Sequence, residues 1–347
     1  MERLSYQLIT HMRKQAIVAS ISWGRTQLGL PWFLMHALVR GIRLARDVDL
    51  LHAGDPLVAP VVYILAKIYR IPAIMNVHGL DITFNFPGYQ YFVSNLMKRF
   101  DLIICISHTV RRKVLSRGLD PGRCCVIHPG VDIPDQLPDR YLARKHLEAR
   151  IGRSLNNSQV WLTVGRLIPR KGITWFCEVV LPQLRDAGKF VYLIAGTGPE
   201  MPHLRSIVRR LGLDDYVYLL GLVDDSALKW LYTGADLFIM PNIPQPHHPE
   251  GFGLVAIEAA AHSLPVIAAR LDGIQEAVID RESGYLLPPQ DTKTWVSFLR
   301  LCLDNPFVLD EIRARAREAV RSRFAWDKII EQYLNVFYEV LDKKKKL

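Results

Sequence analysis

Glu250-Gly-Phe-Gly-Leu-Val-Ala-Ile-Glu258 reads as a loop that turns into a helix. Upstream, Asp236–Met240 has the continuous apolar run of a strand buried on both faces, and the Pro- and His-rich loop Pro244-Gln-Pro-His-His-Pro249 follows it. Downstream, Leu254–Ala261 consists of helix formers. A strand that runs through glycines into a helix is the repeating unit of a doubly wound sheet, whose ligands lie at the carboxyl ends of the strands. Gly251 and Gly253 permit close backbone approach, and the first helical turn offers unpaired N–H groups and the positive end of a dipole. Such a place suits a diphosphate. If helical throughout, Glu250 and Glu258 stand about 12 Å apart and within roughly 80° of one another. One carboxylate then suits sugar hydroxyls and the other a ribose. Taken alone, the segment reads equally as a helix with one exposed and one capping glutamate.

A second stretch, Val164-Gly-Arg-Leu-Ile-Pro-Arg-Lys-Gly172, follows another strand candidate, Val160–Val164. Arg166 suits forked contacts to phosphate oxygens, and Lys171 places a compact charge beside them. Two fixed cations neutralise a departing diphosphate without a metal. The bland alternative is a pair of solvated loop cations. Further strand candidates are Gln15–Ile21, Asp49–Ala53, Ala73–Val77, Asp101–Ile106, Cys124–His128, Phe190–Ala195, Val217–Leu219 and Pro265–Ala268. Helix-length segments separate them, including Pro56–Arg70, Thr174–Ala187 and Glu200–Leu211. Alternating β and α elements predict parallel sheets covered by helices.

The chain's 347 residues are half apolar and 22% charged, which excludes a disordered or collagen-like protein and leaves room for two cores. Between Ile133 and Gln159 no strand-like run occurs, so 136–159 is expected to be a linker with one short helix. Trp326, Ile329, Ile330, Tyr333, Leu334 and Phe337 keep helical spacing and predict a closing amphipathic helix ahead of the basic Lys343–Lys346. Through Arg150 there are 20 Lys/Arg and 11 Asp/Glu, against 24 and 23 in the remainder. The excess near Arg40, Arg43, Arg46 and Arg111–Lys113 reads either as ordinary solvated helix faces or as a docking surface for anionic lipid headgroups. Trp32, Phe33, Leu34 and Met35 would supply the buried side of such an interfacial helix.

Nucleic-acid binding has charge in its favour but no interleaved aromatic platform. A nicotinamide dehydrogenase would require a strand followed by G-x-G-x-x-G, which neither half contains. Cys105, Cys124, Cys125, Cys177 and Cys302 form no C-x-x-C pair and suggest reduced thiols in a cytoplasmic chain. Met1–Lys14 lacks the apolar core of a secretory signal. The longest apolar run, Leu28–Val39, falls short of the ~20 residues that cross a bilayer.

Together with Gly196-Thr-Gly-Pro-Glu200, Leu220-Gly-Leu-Val223, Gly234-Ala-Asp236 and Met240-Pro-Asn242, the two loops resemble glycosyltransferase family 4. The resemblance is specific over Val160–Pro288. In the first part it is carried by His52-Ala-Gly-Asp55, Val77-His-Gly-Leu-Asp81, Ile106-Ser107 and His128-Pro-Gly-Val-Asp132. It implies an α/β protein of GT-B fold, with two facing Rossmann-like domains of parallel sheet. These are an acceptor-side domain over 1–135 and a donor-binding domain over 160–325. The segment 326–347 would be a closing helix that returns to the first domain.

The implied activity moves a hexose-type sugar, with retention, from a nucleotide diphosphate donor such as GDP-mannose or UDP-glucose to an acceptor hydroxyl. The acceptor would be a glycan or lipid-linked intermediate in polysaccharide or glycolipid assembly. No metal or other cofactor is implied. The resemblance gives Glu258 the ribose and Glu250 the donor sugar, with backbone groups of Gly251, Phe252, Gly253 and Leu254 around sugar and diphosphate. Arg166 and Lys171 would hold the diphosphate, and Leu222 and Val223 the base. His78 would meet the donor sugar, with Asp81 on the acceptor side. For His78 a strand-end histidine satisfied by backbone is the plain alternative. Ser107 reads as well as a helix N-cap, and Pro199 as a residue of a first helical turn.

The family usually opens with a strand and a Gly-Gly loop, whereas Met1–Met12 resembles the helix after that loop. An upstream segment is therefore expected, and without it the alternative is a catalytically weak sugar-nucleotide-binding or scaffold protein. Ser263 and Asp272 stand where the family usually has glycine, and both are expected to lie clear of the ionic groups. The His pair of the Pro-rich loop is not expected to hold a metal, for want of a third ligand.

Overall fold

The computed structural model describes residues 2–22, 29–83, 88–246 and 248–346. The chain divides into two compact units, Met1–Gly130 with Trp326–Leu347, and Val131–Ala325. The first holds a parallel sheet of β1 (Leu51–Ala53), β2 (Ala73–Val77), β3 (Leu102–Cys105) and β4 (Cys124–Val126), in that order. Every residue of β2 is buried, as the unbroken apolar run requires of a strand covered on both faces. The helix Trp326–Lys345 belongs to this unit. Its Trp326, Ile329, Ile330 and Tyr333 share a core with Leu8, Met12, Ile74 and Ile104.

The expected strand Gln15–Ile21 is not formed. Residues 15–22 have no ladder partner, and Ile17 is fully exposed. Arg13 instead ties this stretch down through the Val18 carbonyl and the Ser20 hydroxyl. β-propensity alone makes no strand when no sheet edge is paired with it.

The second unit carries six parallel strands: β5 (Gln159–Val164), β6 (Phe190–Ala195), β7 (Val217–Gly221), β8 (Leu237–Met240), β9 (Val266–Ala269) and β10 (Gly284–Leu287). Their order, β10-β9-β8-β5-β6-β7, puts β6 and β8 on opposite sides of β5. The direction of winding reverses there, and that reversal opens a crevice at the carboxyl ends of β5 and β8. Sequence reading passed over β10, whose four residues include a glycine and run into Pro288.

The segment 136–159 is helical over Arg140–Ile151 and buries Ala143 and Leu147. Both residues abut Gly234, at the end of the helix Asp225–Gly234. The single helix expected over Thr174–Ala187 is instead a broken run. One α turn is followed by a π turn over Phe176–Val180 and a 3-10 turn over Leu181–Leu184, where Pro182 removes a backbone donor. Pro199 also lies ahead of its helix, which starts at Met201 with Pro202 in the first turn.

Charge follows this division closely. The first unit contains 21 Lys/Arg and 11 Asp/Glu, and the second 23 of each. The whole net charge of +10 therefore resides in the first unit.

Candidate functional site

Backbone hydrogen bonds knit the strand-end loops of the second unit together. Gly165 N donates to the Ala195 carbonyl at 2.9 Å, Gly196 N to Gly221 at 2.7 Å, and Ile243 N to Arg170 at 3.0 Å. At Gly172 the backbone is left-handed (φ 65°), and a Cβ there would lie 1.9 Å from the Pro241 oxygen. Only glycine lets the loop after β5 close against the loop after β8.

The side chains of these two loops meet on one carboxylate oxygen. Oε2 of Glu250 accepts from Lys171 Nζ at 2.6 Å, from Asn242 Nδ2 at 3.0 Å and from Arg170 Nε at 3.4 Å. Burial pushes the Glu250 carboxyl up, but Lys171 and then Arg170 outweigh it and hold it below the usual carboxylate range. The Oδ1 of Asn242, fully buried, has no hydrogen-bond partner among the described residues. The loop after β5 thus brings Arg170 and Lys171 onto one glutamate, while the predicted Arg166 makes no contact with it among the described residues. Arg166 is exposed, while the Arg170 and Lys171 side chains are only 17% and 15% accessible.

The helix Leu254–Ala261 starts directly after Gly253 (φ 98°), with no side-chain cap on its first turn. Residues 250–253 are not helical, so the axial spacing expected between Glu250 and Glu258 does not hold for the first part of the segment. Glu258 has its own surroundings: Tyr232 Oη donates to its Oε2 at 3.1 Å, and His262 Nδ1 donates to its carbonyl at 2.9 Å. Phe252 is buried edge-to-face on Phe324, so its side chain is taken up in packing. Leu254 and Leu222 are exposed and Val223 is half-buried, the last two directly after β7.

Sequence reading missed Arg170, Asn242 and Asp272. Asp272 was expected to lie clear of the ionic groups, yet its Oδ2 accepts the Glu250 N–H at 3.1 Å and so orients that residue. Its backbone is left-handed (φ 46°), as is that of Ser263 (φ 59°). At both positions, where the resemblance expects glycine, the fold demands what glycine supplies.

In the first unit the remaining predicted residues also lie at strand ends. His78 follows β2 and donates from Nε2 to the Gly54 carbonyl after β1, at 2.8 Å, which leaves Nδ1 as the ring acceptor. The Asp81 carboxylate is buried and accepts the N–H groups of His78, Gly79 and Ile82. Burial pushes this carboxyl up, against the pull of His78 and those three donors. Ser107 caps its helix, accepting from Val110 N at 3.1 Å. Asp47 and Asp49 form an Asp-x-Asp pair exposed beyond the helix Leu30–Leu44. Among the described residues no three His, Cys, Asp or Glu gather as metal ligands, and His247 of the Pro-rich loop lies outside those residues.

Two family descriptions match the chain in tandem. Glycosyltransferase Family 4 covers residues 7–134, and Glycosyl transferases group 1 covers residues 158–305. The D-inositol 3-phosphate glycosyltransferase 2 of Catenulispora acidiphila is 34% identical over 220 residues, 60% of this chain. The chain spans 49%, about half, of that relative's length. The D-inositol 3-phosphate glycosyltransferase of Kineococcus radiotolerans is 27% identical, over 88% of this chain and 74% of its own. Among solved structures, Anabaena Alr3699/HepE in complex with UDP-glucose superposes with a TM-score of 0.79 at 22% identity, covering 97% of this chain and 95% of that one. Fold and strand-end site define an α/β protein of the GT-B type. Its family is now plain: the chain belongs to glycosyltransferase family 4.

Proposed function

We propose that this glycosyltransferase moves a hexose, with retention, from a nucleotide diphosphate donor to the hydroxyl of a glycan or lipid-linked acceptor. The observation that carries the reading is the Lys171–Glu250 pair, which spans the loops after β5 and β8 at the point where the winding reverses. The diphosphate takes the side of the site where Lys171 and Arg170 meet Glu250, beside the uncapped start of the helix Leu254–Ala261. Arg166 and Lys171 neutralise it without a metal, and Arg170 keeps Glu250 ionised for the sugar hydroxyls. The unpartnered Asn242 Oδ1 suits a hydroxyl donor from the same sugar. Glu258 takes the ribose, Leu222 and Val223 the base, and His78 offers Nδ1 to the sugar. Asp81, held by three N–H groups, shapes the backbone at His78 on the acceptor side.

In the proposed reaction the bond from the anomeric carbon to the diphosphate oxygen breaks. A bond to the acceptor oxygen forms on the same face, and the acceptor proton passes to the leaving phosphate. The oxocarbenium-like state is stabilised by fixed charge. UDP-glucose, the molecule named with the Anabaena structure, is the first donor to test, and GDP-mannose the second. We place the enzyme in the cytoplasm because its five thiols are free, and peripheral to a membrane because all its net charge lies in the first unit.

The test is a donor-hydrolysis screen of the full chain across sugar nucleotides, which needs no acceptor. Slow hydrolysis of one donor is expected. Donor binding without hydrolysis or transfer would point to a sugar-nucleotide-binding or scaffold protein, and no binding of any donor would end the proposal.

A further inference from the structure

The helix Leu30–Leu44 buries Phe33, Ala37 and Gly41 on one face. Gly41 abuts Leu65 of the helix Ala59–Tyr69, and Tyr69 Oη donates to the Ile42 carbonyl at 2.6 Å. The opposite face carries Trp32, Met35, Val39 and Ile42, which are 77%, 61%, 59% and 37% exposed. Their spacing of three, four and three residues makes one continuous stripe. The sequence had suggested Trp32, Phe33, Leu34 and Met35 as an apolar group, but Phe33 turns inward and Leu34 is half-buried. Arg40 and Arg43 are exposed at one edge of the stripe. Asp47 and Asp49 are the acids that follow the first helix.

Whatever covers this face must accept an indole and aliphatic groups while answering several cations. A second copy would bring arginines against arginines. An anionic lipid surface answers both demands, since Trp settles at the headgroup level and Arg reaches phosphate. At 15 residues, about 22 Å, the helix lies along a bilayer rather than through it. Among the described residues no helix is long and apolar enough to cross a membrane. We propose that the outward face of the helix Leu30–Leu44 docks the first unit on anionic lipid. Trp32, Met35, Val39 and Ile42 enter the headgroup boundary, and Arg40 and Arg43 pair with lipid phosphates. The inference rests on the membrane part of the proposed function and names the surface responsible.

The full chain is sedimented with phosphatidylcholine vesicles made with and without phosphatidylglycerol. Binding is expected only with the anionic lipid, and weaker at high salt. Arg40→Gln/Arg43→Gln should weaken it about 25-fold, at roughly fivefold per cation near a charged surface. Trp32→Ser/Val39→Ser should weaken it about tenfold or more. All four side chains are exposed, so both variants should keep the wild-type circular dichroism spectrum and donor hydrolysis. No binding at low salt, equal binding to neutral vesicles, or unaltered binding by both variants would overturn the proposal. So would loss of self-association, rather than of vesicle binding, in the apolar variant. Vesicle binding is read without donor, so its failure leaves the transferase reading standing, and the reverse is also true.

Discussion

Glu250 shows how a buried carboxylate is kept charged. Removed from water it would take up a proton, but Lys171 at 2.6 Å and Arg170 at 3.4 Å, with an amide N–H from Asn242, make the ion the lower state. Glu250→Gln or Lys171→Ala should lower donor turnover by about 10²–10³, the usual loss when one fixed stabilising group is removed. Unchanged turnover in a folded variant would take that residue out of the site. Because the folded-state value of Glu250 lies below its ordinary one, its contribution to stability is present above that ordinary range. It fades as pH falls through the folded value.

His52 titrates in a higher window. Burial lowers it from 6.5 to about 4, although Asn76 bonds to its Nε2. The unfolded chain therefore binds the proton first, and stability should drop as pH falls from about 6.5 to 4, by up to ~1.4 kcal/mol per pH unit. Urea midpoints measured across that range should fall, and the fall should flatten in His52→Gln.

At the scale of loops and helices, the close approach of two turns decides more than any propensity. Gly172→Ala would set a Cβ on the Pro241 oxygen in a left-handed backbone, so the loop carrying Arg170 and Lys171 must move. Donor affinity measured by calorimetry should fall at least about tenfold, with a lower unfolding midpoint. Ser263 is strained in the opposite sense, as a side chain held at φ 59° in a turn that glycine fits without cost. Ser263→Gly should raise stability by about 1 kcal/mol by urea titration. Asp272→Gly should gain nothing comparable, because Asp272 accepts the Glu250 N–H.

For the whole molecule, the last helix is core rather than tail. Trp326, Ile329, Ile330 and Tyr333 pack on Ile74 and Ile104 of the first sheet, and Tyr333 Oη accepts from the Asn76 amide at 2.8 Å. A chain ending at Ala325 should leave the first unit unfolded, visible as protease sensitivity confined to residues before Gly130. Tyr333→Phe should cost about 1–3 kcal/mol, the penalty for a buried donor left unpaired. All five thiols are free and four of them are buried, while burial pushes the half-buried Cys125 up to about 11. A thiol reagent at neutral pH should therefore react slowly with the native protein and with five equivalents after denaturation.

Nine of the ten strands among the described residues were legible because a parallel sheet buries both faces and so writes itself as continuous apolar runs. The helix Leu254–Ala261 was legible because small residues follow a glycine stop. Glu250 and Lys171 could be named because charge beside glycine at a strand end has few other uses. Gln15–Ile21 misled for want of a neighbour, which no local pattern reveals.

Sequence alone thus determined the α/β class, the strand-end loops and the sign of the charge those loops carry. All three depend on residues close together in the chain. Tertiary structure decided that Arg170, Asn242 and Asp272 join Glu250, that Phe33 faces inward while Trp32 faces solvent, and that every net charge falls in one unit. These depend on residues brought together from distant segments, and only packing sets the distances over which side chains act.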